Sequence, residues 1–481
     1  MKKTPDFSRR SLLRAGAAFA GSSIMGVLPL RAFAQQMAGL PPADHCFVFV
    51  YFSGGWDVLL SLDPRDPAVF TPERVNETRI FPDYAATTNI TAADRGIIKP
   101  AGSNIEFGPA IGNMRNHYDV MSVIRGIDMR TVAHEVGRRY FITGKEPAGA
   151  AARGSSTATE IVGQMVPMGL TKVPVPSIAY NVESYNDRYG GYANALRVSS
   201  QNDLLLTLSK SATQFDSEIE KELVDMQGRP VSCEADLYDS RGLVSQYREA
   251  LAQKQTVLTA QVDKYFQFAN KGTDDGLNSY RAQVRAAYGL GDGTNTTTSA
   301  ARAATAATAI KRGISQCVSL TINTGNLDTH FNRQVENATS QKTAWDALAA
   351  LVNDLKNSDF DPNDPSKGKW MDADPNKGHC TIVCFSEFSR TPLTNAAGGR
   401  DHHITNSCML LGRGIRHNLV FGKSGDVGLS AGIVDFETGK PKPNGLVITP
   451  EHVIASVLDA ANLDYSITRE SPLKGLLSKY P

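Results

Sequence analysis

Four short stretches carry residue types that can hold a cation or move a proton. "YFSGGWD" presents Asp57 just after the Gly54-Gly55 pair, at the end of an apolar run. "NTGNLDTHFN" offers Asp328 and His330, two residues apart. "FSEFSRTPLTNAAGGRDHHITN" supplies Glu387, Arg390, Arg400, Asp401, His402 and His403, and "IDMRTVAHEVGRRYF" brings Thr131 and His134 to a loop-to-helix junction. A neutral imidazole beside a carboxylate is the donor set of a borderline divalent cation, one group as ligand and the other as its outer partner. Each stretch also has a plainer reading. Asp57 suits a turn or cap. Asp328 or Thr329 suits a helix N-cap with His330 in the first turn. His134 suits an ordinary helix start, where exposed amides favour anions. Consecutive histidines on a strand face opposite ways, so only one of His402 and His403 can serve a common site.

The elements that must position these residues are legible from hydrophobic pattern. Residues 45–52, 119–126, 317–323 and 380–385 are short, nearly continuous apolar runs, as strands covered on both faces require. Helical patterns lie between them at 133–143, 157–165, 216–269, 333–356 and 450–461, the last with Thr449 as N-cap. The alternation predicts an α/β fold with a mainly parallel sheet flanked by helices on both faces. Ligands in such sheets collect at the carboxyl ends of strands, where three of the four runs are followed by potentially coordinating residues. Residues 216–315 read as an insertion. Its first half is helical; its second, "YGLGDGTNTTTSAARAATAATA", reads as a low-complexity mobile connector. Residues 358–378, rich in Asp, Pro and Lys, read as a solvated surface loop.

Before all this comes an address. Arg9-Arg10, the modest apolar run Ala15 to Leu30 and the small-residue stretch Ala32-Phe33-Ala34 predict a twin-arginine signal over residues 1–34, with the mature chain 35–481 forming one domain. A short N-terminal membrane anchor is the alternative. The signal implies the twin-arginine translocase as a transient partner and a folded protein delivered to the periplasm or beyond the cell. A net charge of +1 over 481 residues argues against nucleic acid as the main partner. No later stretch is long and apolar enough for a stable membrane span. Six cysteines follow no framework spacing and read as core thiols, with one incidental bridge left open by an oxidising compartment.

Taken in order, "GGWD", "LDTH", "SEFSRT" with "GGRDHH", and the tail "LVFGKSGDVGLSAGIVDFETGKP" leading to "ITPEHVIASVLDAANLD" resemble a family of twin-arginine-exported bacterial proteins, domain of unknown function 1501. More distantly, the sequence resembles the alkaline phosphatase and sulfatase superfamily. That wider resemblance implies metal sites at the carboxyl rim of a parallel sheet and hydrolysis of phosphate or sulfate esters. It maps Asp57, Asp328, His330, Glu387, Asp401 and His402 or His403 onto ligands for one or two divalent ions (Zn, Mn or Ca), and the substrate onto a small-molecule or polymeric ester. The match has gaps. The superfamily's Asp-His pair falls on Glu387-Phe388. Counting back ten residues from Gly144 reaches His134 where the enzymes place a hydroxyl or formylglycine nucleophile. The resemblance therefore implies His134 or Thr131 as nucleophile or general acid/base, and Arg390 or Arg400 as the cation that stabilises developing charge. The other class of function consistent with the sequence is a non-catalytic periplasmic or surface protein that keeps the fold and binds a polymer or protein partner.

Overall fold

The structure is a computed structural model that describes residues 43–480, apart from 150, 172, 210–221, 223–224, 226–255, 270–274, 294–296 and 333. The expected signal segment, residues 1–34, and most of the expected helical half of the insertion lie outside the described residues.

In chain order the strands are β1 Cys46–Tyr51, β2 Met121–Asp128, β3 Ser177–Tyr180, β4 Leu196–Val198, β5 Cys317–Thr321, β6 Cys380–Phe385, β7 Ser389–Arg390, β8 His402–His403, β9 Thr405–Gly412, β10 Leu419–Gly422, β11 Ile433–Val434 and β12 Leu446–Val447. The helices are α1 His134–Thr143, α2 Thr157–Met165, α3 Gln201–Leu208, α4 Asn278–Tyr288, α5 Ser299–Lys311, α6 Gln334–Asn357 and α7 Pro450–Ala460. Eight strands form one sheet in the order β10-β2-β9-β6-β1-β5-β3-β4. All neighbours are parallel except β9, which runs antiparallel to both β2 and β6. Two reversals cancel, so β2 points the same way as β1, β5 and β6. The carboxyl ends of these four strands therefore share one rim.

Alternation along β1 explains why the sheet is covered on both sides. Phe47, Phe49 and Tyr51 join the apolar cluster that includes Tyr140 and Phe141 of α1, Ile161 and Val162 of α2, and Val453 and Val457 of α7. Phe52, beyond the strand end, turns the other way and packs its ring 4.4 Å from Trp345 of α6, which also stacks on Trp56. α5 lies between β5 and α6. Its small side chains allow that burial: nearly every alanine from 301 to 309 is inaccessible, alanine is the strongest helix former, and Thr298 caps the first turn. Residues 299–311 are thus a core helix, which corrects the expectation of a low-complexity connector there. Thr449 caps α7 as expected, reciprocated by His452. Cys46, Cys317, Cys380, Cys384 and Cys408 are buried free thiols; Cys233 lies outside the described residues. No described helix is long and apolar enough to cross a membrane.

Candidate metal centre

Four loops leave the shared rim and meet. After β1 the chain turns on Gly54, whose φ is +111°. A side chain there would sit 2.9 Å from the Asp328 amide nitrogen, so the loops after β1 and β5 approach closely only because Gly54 lacks one. Gly137 plays the same part for α1: a Cβ would lie 2.2 Å from the Glu387 carbonyl. The helix can therefore settle on the end of β6 and bring His134, its first residue, over Glu387. β7 and β8 pair antiparallel, which carries His402 back beside Arg390.

Three imidazoles are held in one sense. His134 Nδ1 lies 2.7 Å from Glu387 Oε1, His330 Nδ1 lies 2.8 Å from Asp401 Oδ1, and His402 Nδ1 lies 2.7 Å from the Val132 carbonyl oxygen. Each of these partners accepts, so each Nδ1–H donates and each Nε2 keeps its lone pair. Those Nε2 atoms face one another around Asp328. His330 Nε2 is 3.0 Å from His402 Nε2 and 2.9 Å from Asp328 Oδ1. His402 Nε2 is 3.2 Å from Asp328 Oδ1, and His134 Nε2 is 3.5 Å from Asp328 Oδ2. His134 Nε2 is buried and has no hydrogen-bond partner among the described residues. Lone pairs brought this close repel unless a proton or a cation lies between them, and Arg390 Nη1, 3.4 Å from His330 Nε2, offers a hydrogen to that one alone. Ligand atoms of His134, Asp328 and His402 all fall within 4.8 Å of one another, a span one ion can bridge.

The surrounding charges agree. Partial burial raises the Asp328 carboxyl, but the hydrogen bond from Arg390, with His402 and His134 beside it, outweighs this and holds its pKa at about 2. Burial likewise pushes Glu387 up, and His134 and Ser386 bring it below the usual carboxylate range. His330, then Asn395, lowers Asp401. Burial lowers the His402 pKa, with Arg390 and His134 adding to it against Asp328 and the Val132 carbonyl. A neutral imidazole is the form that binds metal. Three ionised carboxylates against the single guanidinium of Arg390 leave two negative charges uncompensated, which one divalent ion would match.

The remaining expected residues stand apart. Asp57 does not meet Asp328 or Asp401. Its Oδ1 accepts from the Leu59 amide at 3.0 Å and its Oδ2 pairs with Arg400 Nε at 3.2 Å, both side chains buried. This corrects the expectation of Asp57 as a ligand beside them; it caps a short 3-10 turn. Arg400 also donates to the Thr391, Phe81 and Pro82 carbonyls and so ties loops together away from the cluster. Arg390 is fully buried, bound to the Gly54 and Gly55 carbonyls and, at 2.6 Å, to Asp328 Oδ1. It acts on the site through Asp328 and, at 3.4 Å, His330 Nε2 rather than by facing solvent. His403 points away from the cluster and hydrogen-bonds Thr405, as opposite facing of consecutive strand residues requires. The Thr131 hydroxyl accepts from the Ala133 amide, a local turn contact. Phe388 packs its ring 4.7 Å from His134 and 4.3 Å from His402, an apolar floor where the superfamily pattern has a histidine. Sequence reasoning missed three supports: the Val132 carbonyl, Ser386 and Asn395, which donates to Asp401. A backbone carbonyl leaves no trace in side-chain pattern.

Fold and site together define a mainly parallel α/β protein that gathers three histidines and their carboxylate partners at the carboxyl rim of its sheet. Residues 44–434 match the family model described as "Protein of unknown function (DUF1501)", and the chain belongs to that family. No curated protein matches the sequence significantly. A solved structure described as "Crystal structure of Ps i-CgsB in complex with k-i-k-neocarrahexaose" aligns over 89% of this chain and 75% of that one, at 7% identity and a TM-score of 0.33. A likeness that remote carries no argument about this chain.

Proposed function

We propose that the protein is an exported, metal-dependent hydrolase of phosphate or sulfate esters, delivered folded by the twin-arginine route to the periplasm or cell exterior. The observation that carries the metal reading is the common orientation of His134, His330 and His402, each Nδ1 bound outward and each Nε2 turned toward Asp328. Imidazole and carboxylate donors suit Zn or Mn; Ca, which takes oxygen ligands, fits this set poorly. A bound ion would supply Lewis acidity toward an ester oxygen and toward water.

This chain's own residues do the rest. Glu387 and Asp401 fix the tautomer and orientation of His134 and His330. Arg390 keeps Asp328 ionised and offsets its charge. Asp328 retains 41% of its side-chain exposure and His134 33%, so the cluster opens to solvent on that side. The ligand atoms that gather within one ion's reach, from His134, Asp328 and His402, number three and would leave a fourth position for water or substrate, as catalytic sites do. With Thr131 turned into its own loop, water rather than a threonine hydroxyl is the nucleophile we favour.

That same placement of Thr131 also favours the second reading, a non-catalytic exported protein with a structural metal and a polymer or protein partner. The test is turnover of 4-nitrophenyl phosphate and 4-nitrophenyl sulfate by the metal-loaded protein, and its loss in Asp328→Asn and His402→Ala. Metal retained with no turnover across a broad ester panel would overturn the hydrolase reading and leave the second.

A further inference from the structure

The carboxyl rim continues past the cluster. Over the ends of β1, β5, β3 and β4 lies a cleft of about 670 Å³. That is within the range of small-molecule sites, about 300–1,000 Å³, and in the position where parallel sheets bind ligands. Its walls include Tyr51, Ser53, Arg138, Asn181, Glu183 and Arg197. Two features join it to the cluster. Arg138 lies one turn after His134 on the same face of α1. The Tyr51 hydroxyl has Glu387, the partner of His134, and Arg138 as charged neighbours. That hydroxyl is also buried, with Ser53, Glu387 and Arg138 around it and none of them in good hydrogen-bonding geometry. A buried hydroxyl left unpaired is unfavourable, and a ligand atom in the cleft would relieve it.

The composition of the walls selects the ligand. Guanidinium donors (Arg138, Arg197), a carboxylate acceptor (Glu183) and an amide that does both (Asn181) surround one space, and the charges are of both signs. Arg138 and Glu183 already pair with each other at 3.0 Å, with Arg139 on the same carboxylate. The groups left for a ligand are therefore the Arg197 guanidinium, the Asn181 amide and the Tyr51 hydroxyl. Sites built to hydrogen-bond reject analogues lacking the matching groups. A polyanion would meet Glu183. Hydroxyl groups donate and accept at once and can serve all three of the free groups.

We propose that this cleft binds a sugar or polyol, the polyhydroxylated portion of the ester whose acid group meets the metal centre. The proposal rests on the hydrolase reading for its link to turnover but not for its test. Saturation-transfer NMR with the full chain and a panel of methyl glycosides (galactoside, glucoside, N-acetylglucosaminide and glucuronide) reads the cleft directly. Transfer to ring protons should appear with at least one glycoside, and should fall at least fivefold in Arg197→Ala, an exposed position that leaves the core intact, and in Tyr51→Phe. In parallel, kcat/KM for galactose 6-sulfate and glucose 6-phosphate should exceed that for the 4-nitrophenyl esters, and Arg197→Ala should cut this preference about tenfold, through KM. Absence of transfer to every glycoside, or transfer equal in both variants, overturns the cleft proposal whether or not esters are cleaved. Transfer lost in the variants with no ester cleaved supports the cleft while removing the hydrolase.

Discussion

Replacing Glu387 with glutamine tests whether the outer partners organise the cluster. Glu387 Oε1 accepts from His134 Nδ1 at 2.7 Å and from the Gly54 amide at 2.9 Å, and Oε2 accepts from the Ser386 hydroxyl at 2.8 Å. Glutamine preserves the shape and one acceptor for these donors, and the Ser386 hydroxyl can turn to accept from the new amide. What disappears is the ionised oxygen that fixes the His134 ring with Nε2 inward. Loss of such a partner weakens metal affinity about 10–100-fold, or about 1.4–2.7 kcal/mol. Alanine would be a poorer probe, since it leaves buried donors unpaired at about 1–3 kcal/mol each. The assay is competition for Zn(II) against a chromogenic chelator, with thermal melting of the metal-free proteins alongside. Glu387→Gln should bind Zn at least tenfold more weakly while melting within a few degrees of the parent. Unchanged Zn affinity in a protein of unchanged stability would refute the argument, because His134 would then not be a ligand that Glu387 orients.

Asp57→Ala should destabilise the fold by about 3–5 kcal/mol, since it strands buried Arg400, while Zn affinity measured well below the melting temperature stays unchanged; the reverse pattern would restore Asp57 as a ligand. Gly54→Ala, forced to hold φ +111° with its Cβ against the Asp328 amide, should cost about 1–3 kcal/mol in a denaturant melt and weaken Zn binding by shifting the Asp328 loop. Glu183 gives a pH signature remote from the metal. Partial burial raises its carboxyl, but hydrogen bonds from Arg139 and Arg138 outweigh this and hold it at about 2 against an ordinary 4.5. A folded pKa below the unfolded one gives stability that is complete above pH 4.5 and fades as pH falls toward 2. Glu183→Gln should therefore lower the melting temperature at pH 7 and leave it little changed near pH 2, and an equal loss at both would contradict the assignment.

The central strands were legible because burial on both faces leaves a nearly continuous apolar run, and β1, β2, β5 and β6 carry one. The short strands β3 and β4 were not, since four and three residues make too brief a pattern. β9 was missed for another reason: "TNSCMLLG" begins polar, and its antiparallel direction depends on the β7–β8 pairing before it. α5 was obscured because alanine and threonine runs look like linker until something packs against them. At the site, His330, Glu387, Asp401 and His402 were readable from imidazole beside acid, and His134 from its helix start. Asp57 misled because a buried aspartate after a Gly-Gly turn looks the same in sequence whether it faces a cation or an arginine. Only the fold reveals that Arg400 reaches it from more than three hundred residues away. Arg390 was expected to face an anion; its Gly54 and Gly55 partners are backbone carbonyls, which side-chain spacing cannot announce.

The central claim is that His134, His402 and Asp328 close on one cation, with His330 beside them. Anomalous diffraction from crystals of the protein purified without chelators, collected on both sides of the zinc and manganese edges, tests it most directly. The account predicts a single strong peak within about 2.0–2.2 Å of the His134 and His402 Nε2 atoms and an Asp328 oxygen. A well-folded crystal soaked in Zn(II) or Mn(II) that shows no peak there, with the imidazoles still inward, would contradict it.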